Sequence, residues 1–345
     1  MPDYSLTRRD AVQRILGAAA LPLIASCGVD RLLSPSLGLG SLNSAAGPIR
    51  LLGGGDPHVA APTTWLAWHI GKHIEGMLAA DPNASAFCVG DLVPNGTTQQ
   101  FKDHYGPSWG RFKHRTFPAM GNHDMLADPT GTPYYDYWDG LGVGERGNGY
   151  YHKLLGDHWL LVVLNSQHVR AKQTAWLKAL LPQHPTRHII AMCHFPFLTN
   201  PCLHAGVGKN MDWPGDSGIG QFVAVLEQYG CELWVAGHCH TFTRTPRVIR
   251  NPKALRSPII SEKGMRQFVL GTAGVGNMVP TSIHPLMDAN KTPGGRTIAR
   301  VRGVFEFALY PDRYEWKLTE VASKLGLGAV RDRGTQMCRP RIPVA

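Results

Sequence analysis

Six short apolar runs recur along the chain, and each ends in a polar loop. PIRLL (48–52) runs into GGGDPH, SAFCV (85–89) into GDLVPNG and RTFPAM (115–120) into GNHD; WLLVVL (159–164) is followed by NS, HIIAMC (188–193) by HFPF and ELWVA (232–236) by GHCH. The runs are continuous rather than alternating and rich in Val, Ile, Leu and aromatics, which predicts strands buried on both faces. Between them the apolar positions change period. Leu66, Ile70, Ile74, Met77 and Leu78 fall at helical spacing, as do Trp176, Leu177, Leu180 and Leu181, and Phe222, Val225, Leu226 and Tyr229 with Gly230 in the stop position. Alternating strands and helices predict an α/β layer architecture, in which the loops after the strands' carboxyl ends gather along one edge. Val304–Tyr310 and Tyr314–Leu318, flanking Pro311, Asp312 and Arg313, predict a hairpin that adds antiparallel strands.

The composition allows such a core. The 345 residues are 43% hydrophobic and 17% charged, which argues against a disordered chain or a coiled coil. Past residue 27 no apolar run reaches the roughly 18–20 residues that a spanning helix needs. The first residues read as an address instead. Arg8, Arg9 and Arg14 precede a short apolar run from Ile15 to Ser26. Thr7–Asp10 resembles the twin-arginine export signal, with Ala11 where that pattern prefers Phe. Ile24, Ala25, Ser26 and Cys27 resemble a bacterial lipobox, in which the cysteine becomes the lipidated first residue. The expected organisation is therefore a signal peptide (1–26), a lipidated Cys27 with a Gly- and Ser-rich tether (27–46), one domain (47–320) and a basic tail (321–345). The expected location is exported and membrane-anchored, at the periplasmic or cell-surface face.

The loops carry the candidate chemistry. After the strands stand Asp56 and His58, then Asp91, then Asn122, then His194, then His238 and His240. Two carboxylates, one amide and four imidazoles without a thiolate suit Fe, Mn or Zn, and they suffice for two ions sharing one carboxylate. Any one of these residues alone would read as an ordinary loop residue. Five such loops in series, each directly after an apolar strand, point to a metal centre.

At this point the chain resembles a known family. GDPH, GDLVPNG, GNHD, CHFP and GHCH resemble the five motifs of the calcineurin-like metallophosphoesterases. YGPSWGRF, GNGYYH, VVLNSQ and FVLGTAGVG resemble stretches of the purple-acid-phosphatase-like bacterial branch, and the likeness spans about 48–318. The resemblance implies a four-layer αββα sandwich of two mixed β-sheets with a dimetal site at the strands' carboxyl ends. One metal would take Asp56, His58, Asp91 and His240, and the other Asp91, Asn122, His194 and His238. His123 would meet the phosphate with Asn122, and His204 matches a second phosphate-contacting histidine. Purple enzymes carry a Tyr three residues after the second-motif Asp. Here that position is Pro94, and His58 stands where those enzymes usually lack a ligand. A colourless enzyme is expected, and a visible charge-transfer band in the metal-loaded protein would overturn that assignment.

Two cations on one water lower its pKa, so a bridging hydroxide can attack phosphorus in line while His123 protonates the leaving oxygen. Asp124 is a candidate to orient His123. The favoured activity is a phosphomonoesterase, acid-phosphatase-like hydrolase acting on a phosphorylated small molecule. The alternatives are a phosphodiesterase or nucleotide pyrophosphatase, or a catalytically weak surface lipoprotein that uses its metals to bind a phosphorylated ligand. The net charge of +10 is concentrated in two segments: 241–266 holds seven basic side chains against one acid, and 321–345 holds five against one. The first follows GHCH, so Arg247, Arg250 and Arg256 are expected to form a basic flap that draws in anionic substrate. Export and the absence of a binding motif disfavour nucleic acid; membrane contact is expected through the lipid only, and the oligomeric state is open. Cys88 and Cys193 read as core thiols, a Cys202–Cys239 disulfide is a candidate, and His69 and His73 read as packing or surface residues.

Overall fold

The computed structural model describes residues 47–61, 65–168, 171–200, 202–203, 219–251, 257–276, 278–321 and 327–341. The signal, Cys27, the tether, His204 and Arg256 lie outside them, and so does the side chain of Cys202 with its candidate disulfide. The strands in chain order are β1 (Ile49–Gly54), β2 (Ala84–Val89), β3 (Thr116–Ala119), β4 (Tyr151–Leu155), β5 (Trp159–Leu164), β6 (His188–Cys193), β7 (Cys202–Leu203) and β8 (Leu233–Ala236). They continue with β9 (Phe242–Ile249), β10 (Ile259–Ile260), β11 (Met265–Leu270), β12 (Val279–Pro280), β13 (Arg296–Ile298), β14 (Gly303–Leu309), β15 (Arg313–Glu320) and β16 (Val330–Met337). The α-helices are α1 (Trp65–Ala80), α2 (Thr98–Gln100), α3 (Thr132–Tyr137), α4 (Ala171–Leu180) and α5 (Ile219–Gln228). All six apolar runs form strands, and the three helical patterns form α1, α4 and α5.

The first sheet has the order β16-β15-β14-β1-β2-β3. Its β1, β2 and β3 are parallel and the rest antiparallel, with the expected hairpin closing at Leu309 opposite Tyr314. The second runs β10-β9-β11-β8-β6-β5-β4, parallel from β11 to β5, with β13 paired to β9; β7 and β12 form a separate two-stranded sheet. The side chains of the second sheet divide with period 2. Leu161, Val163, Ile190, Met192, Leu233 and Val235 pack inward in one cluster with Leu51, Phe87 and Phe307 of the first sheet. Their neighbours Leu160, Val162, Ile189, Ala191 and Trp234 pack outward with Leu177 of α4 and Phe222 and Leu226 of α5. A strand serving two apolar layers must be apolar at every position, which is why these runs do not alternate. Between the sheets Phe268 meets Phe305 and Phe307 at centroid distances of 5.4 and 5.3 Å. Ile70, Ile74 and Leu78 set α1 against the first sheet, completing two mixed sheets between helical layers.

Two expectations about charge are corrected. Residues 330–337, read as part of a basic tail, form β16 against β15, so the domain reaches past 320. The inward positions of β16 are Asp332, Gly334 and Gln336, and with no apolar row there was no hydrophobic pattern to find. Of the expected basic flap, Arg247 and Arg250 are likewise structural, while Arg256 lies outside the described residues. Phe242–Ile249 is a sheet strand, and Arg247 is 3% exposed with its guanidinium 2.7 Å from the fully buried Glu232. Arg250 pairs with Glu227 at 3.0 Å, and Arg244 with Asp332 at 2.8 Å. These arginines carry their charge into ion pairs rather than toward substrate.

Candidate metal centre

The polar loops that follow β1, β2, β3, β6 and β8 converge because parallel strands present their carboxyl ends on one edge. The loop after β1 brings Asp56 and His58, that after β2 Asp91, and that after β3 Asn122 and His123; His194 follows directly on β6, and β8 leads to His238 and His240. Donor atoms of Asp56, His58 and His240 lie within 4.8 Å of one another, as do those of Asp91, His194 and His238, and those of His58, Asp91 and His123. His58 and Asp91 each belong to two of these groups, and Asp91 Oδ2 is 3.2 Å from His58 Nε2 and 3.3 Å from His194 Nε2. Asn122 Oδ1 lies 3.0 Å from His194 Nε2, and His240 Nε2 lies 3.7 Å from Asp56 Oδ1.

Backbone geometry is bent to make this possible. Among the described residues the non-glycine positions at positive φ are Asp56 (60°), His58 (42°), Asp91 (54°) and His238 (69°), all four in this cluster. Such conformations cost of order 1–3 kcal/mol each and persist only where the surroundings enforce them. The glycines beside the donors meet a second demand. A Cβ on Gly90 would lie 2.3 Å from His194 Nδ1, and one on Gly121 2.2 Å from Asp91 Oδ1. A side chain at either position would displace a donor.

Main-chain partners fix the imidazoles. His194 Nδ1 donates to Val89 O at 2.8 Å and His240 Nδ1 to Gly276 O at 2.9 Å, leaving each Nε2 facing the cluster. His123 Nδ1 donates to Pro94 O at 2.7 Å, while its ring lies 4.4 Å from that of His58. Asp124 does not orient His123. It is fully buried and accepts from Leu92 N (2.8 Å), Val93 N (3.2 Å) and Gly121 N (2.9 Å), tying the second loop to the third. These carbonyls and the tie made by Asp124 had no side-chain pattern to reveal them, since a carbonyl can come from any residue.

The electrostatics favour a bound cation. Burial pushes the Asp56 carboxyl well above its ordinary range against the pull of His194, and the charge of Asp91 pushes the same way. Burial also acts to raise Asp91, but His194 and His58, through charge and hydrogen bonds, hold it well below that range. Burial disfavours a charged His194, yet Asp91 and Asp56 outweigh it and bring its pKa to about 9. His238 is pushed down to about 3 by burial and by the charge of His194. Two buried carboxylates thus rely on one imidazolium for compensation, the kind of charge that divalent cations supply. The oxygen and imidazole donors fit Fe, Mn or Zn.

The model of the calcineurin-like phosphoesterase family matches residues 49–242, a stretch that contains all seven of these donors. None of the curated proteins matches the sequence. Among solved structures, a purple acid phosphatase from seeds of yellow lupin (Lupinus luteus) superposes with a TM-score of 0.62 at 14% identity, covering 85% of this chain. This chain spans only 54% of the lupin enzyme's length. PhoD superposes with a TM-score of 0.60 at 12% identity, covering 86% of this chain and 71% of that one. GAP50, the anchor in the inner membrane complex of Plasmodium, gives 0.57 at 12% identity, with 86% and 91% covered. At these identities the likeness establishes the fold. With a family match over more than half its length, the chain belongs to the calcineurin-like phosphoesterase family, and its domain is a metallophosphoesterase domain.

Proposed function

We propose that the protein is a dimetal phosphohydrolase that cleaves phosphate monoesters. The observation that carries this reading is the convergence of His123 with His58 and Asp91 at the mouth of a donor set large enough for two ions. Asp56, His58, Asp91 and His240 would hold one ion, and Asp91, Asn122, His194 and His238 the other. So held, two cations supply the charge that binds phosphoryl oxygens and acidifies water. The protein's own part is positional. The strained loops hold Asp56 and Asp91 before substrate arrives, and Pro94 O fixes the His123 ring so that its Nε2 can deliver a proton to the leaving oxygen. The ring of His58 stands in place of a tyrosine phenolate, which keeps the expectation of a colourless protein.

Fe, Mn and Zn are the proposed metals, and a phosphorylated small molecule the substrate. The N-terminal motifs support export by the twin-arginine route and anchoring through lipid on Cys27. No helix among the described residues is long and apolar enough to cross a membrane. The test is turnover of a chromogenic phosphate monoester against the matching diester by the full chain loaded with Mn, Fe or Zn, beside Asp91→Asn. Monoester cleavage that disappears in the variant is the expected result. Diester preference would make the protein a phosphodiesterase, and metal-loaded protein inert toward both would make it a binding protein.

A further inference from the structure

Arg302 stands at the metal edge of the first sheet without a carboxylate partner among the described residues. β14 runs antiparallel to β1 with Phe305 opposite Gly53, so the residue just before β14 lies beside the chain that leads from β1 to Asp56. Main-chain bonds fix it there: Gly303 N donates to Thr272 O at 3.2 Å, and Val321 N to Arg302 O at 2.8 Å. From this position Arg302 Nε donates to Val275 O at 2.8 Å. Val275 belongs to the loop after β11, which lies against the donor loops. Its N donates to Asp56 O at 3.0 Å, and the carbonyl of the next residue, Gly276, accepts from His240 Nδ1 at 2.9 Å. One residue and one hydrogen bond on each side of it therefore link the guanidinium to the main chain of Asp56, and a path of the same kind leads to the His240 ring. Hydrogen bonds of about 3 Å and a residue of about 3.5 Å put the guanidinium on the order of 10 Å from that ring. The rim opens to solvent here, with Val275 half-buried and Gly276 exposed.

The charge of this side chain is held in place but not matched. Arg244, Arg247, Arg250, Arg313, Arg331 and Arg339 all pair with carboxylates. Arg302 has only the carbonyl of Val275, and partial burial pulls its pKa below the ordinary value with no acid near enough to offset the cost. Its two terminal nitrogens make no hydrogen bond among the described residues and keep access to solvent. A guanidinium anchored through Nε, with Nη1 and Nη2 open, presents the planar fork that grips a carboxylate or a phosphate. The anchor also orders the side chain before any ligand arrives, which lowers the entropy lost on binding.

We infer that Arg302 is a specificity-determining residue that holds a second anionic group of the substrate, a carboxylate or phosphate a few bonds from the scissile phosphate, so that the preferred substrate is a small molecule with two anionic ends. The inference rests on the phosphohydrolase reading of the metal centre, with the scissile phosphate at the metals. The test compares 4-(phosphonooxy)butanoate with 4-hydroxybutyl phosphate, which has the same length and a neutral end. Both are given to the full metal-loaded chain as wild type, Arg302→Gln and Arg302→Lys. Their phosphonate isosteres, 5-phosphonopentanoate and 5-hydroxypentylphosphonate, are titrated by calorimetry, which needs no turnover. Wild type is expected to prefer the carboxylate ester about tenfold in KM and its isostere about tenfold in Kd. Arg302→Gln should abolish the preference in both readouts, and Arg302→Lys should restore part of it by returning the charge without the fork. Equal constants for the two ends in wild type, or a preference that survives Arg302→Gln, would overturn the assignment. So would a loss in Arg302→Gln that falls equally on both compounds, which is the result of removing a mere anchor of Val275. Failure of the hydrolase reading looks different: neither ester is then cleaved, while the two isosteres still report on Arg302.

Discussion

His123 shows how much a single residue owes to its neighbours' main chain. Its Nδ1 donates to Pro94 O and its backbone N to Asp91 Oδ1 at 2.8 Å, so ring and backbone are both referred to the second loop. Replacing it with Ala should lower kcat for an alkyl phosphate by about 10²–10⁴ with metal content unchanged. The loss for 4-nitrophenyl phosphate should be much smaller, because that leaving group needs no proton; equal losses would remove His123 from the role of acid. His194 supports a prediction about pH. In the metal-free protein its pKa is raised to about 9, above the ordinary value of 6.5. A histidine raised on folding contributes stability that is fully present below 6.5 and lost as pH rises through about 9. The melting temperature of chelated protein should therefore fall across that window. Metal-loaded protein, whose ligand imidazoles are already neutral, should not share the fall. Coincident profiles would count against His194 as the charged partner of Asp91.

At the scale of elements, a strand can carry strong charge without presenting it to solvent. Arg247 on β9 reaches Glu232 just before β8, and Arg339 donates to the same carboxylate at 3.1 Å. Glu232 and Arg247 are 0% and 3% exposed, so removing the arginine takes from a buried carboxylate the cation at Oε2 and leaves it Arg339 at Oε1. Arg247→Ala should cost about 3–5 kcal/mol in denaturant unfolding, with KM for small phosphate esters unchanged. A raised KM with undiminished stability would restore the flap. The sequence pattern showed seven basic residues in this stretch but not their partners, because Glu227, Glu232 and Asp332 stand on other elements that only the fold brings beside β9. The loops were more legible. Each ligand follows an apolar run by one to a few residues, and a strand buried on both faces must end where its polar residues begin.

For the molecule as a whole, the C-terminal segment joins the sheets. β16 extends the first sheet, while Arg247 of the second donates to Met337 O at 2.7 Å and Arg341 to Tyr229 O at 2.6 Å. Trp316 packs so closely on Gly334 that a Cβ there would come within 2.3 Å of its ring. Deleting residues 330–345 should lower the melting temperature by about 10 °C or more, or leave the protein insoluble through the exposed edge of β15. A truncated chain that melts like the full one would return this segment to the status of a tail.

The sequence alone determined the alternation of strands and helices, the hairpin at Pro311 and the positions of the seven candidate donor residues. Each of these is written in local periodicity or in a loop residue beside its own strand. Only the tertiary structure decided that Asp124 ties loops rather than orienting His123, and that Arg244, Arg247 and Arg250 pair with acids. It also placed β16 in a sheet. These outcomes depend on pairings between separate elements or on main-chain groups, and neither leaves a signature in the order of side chains.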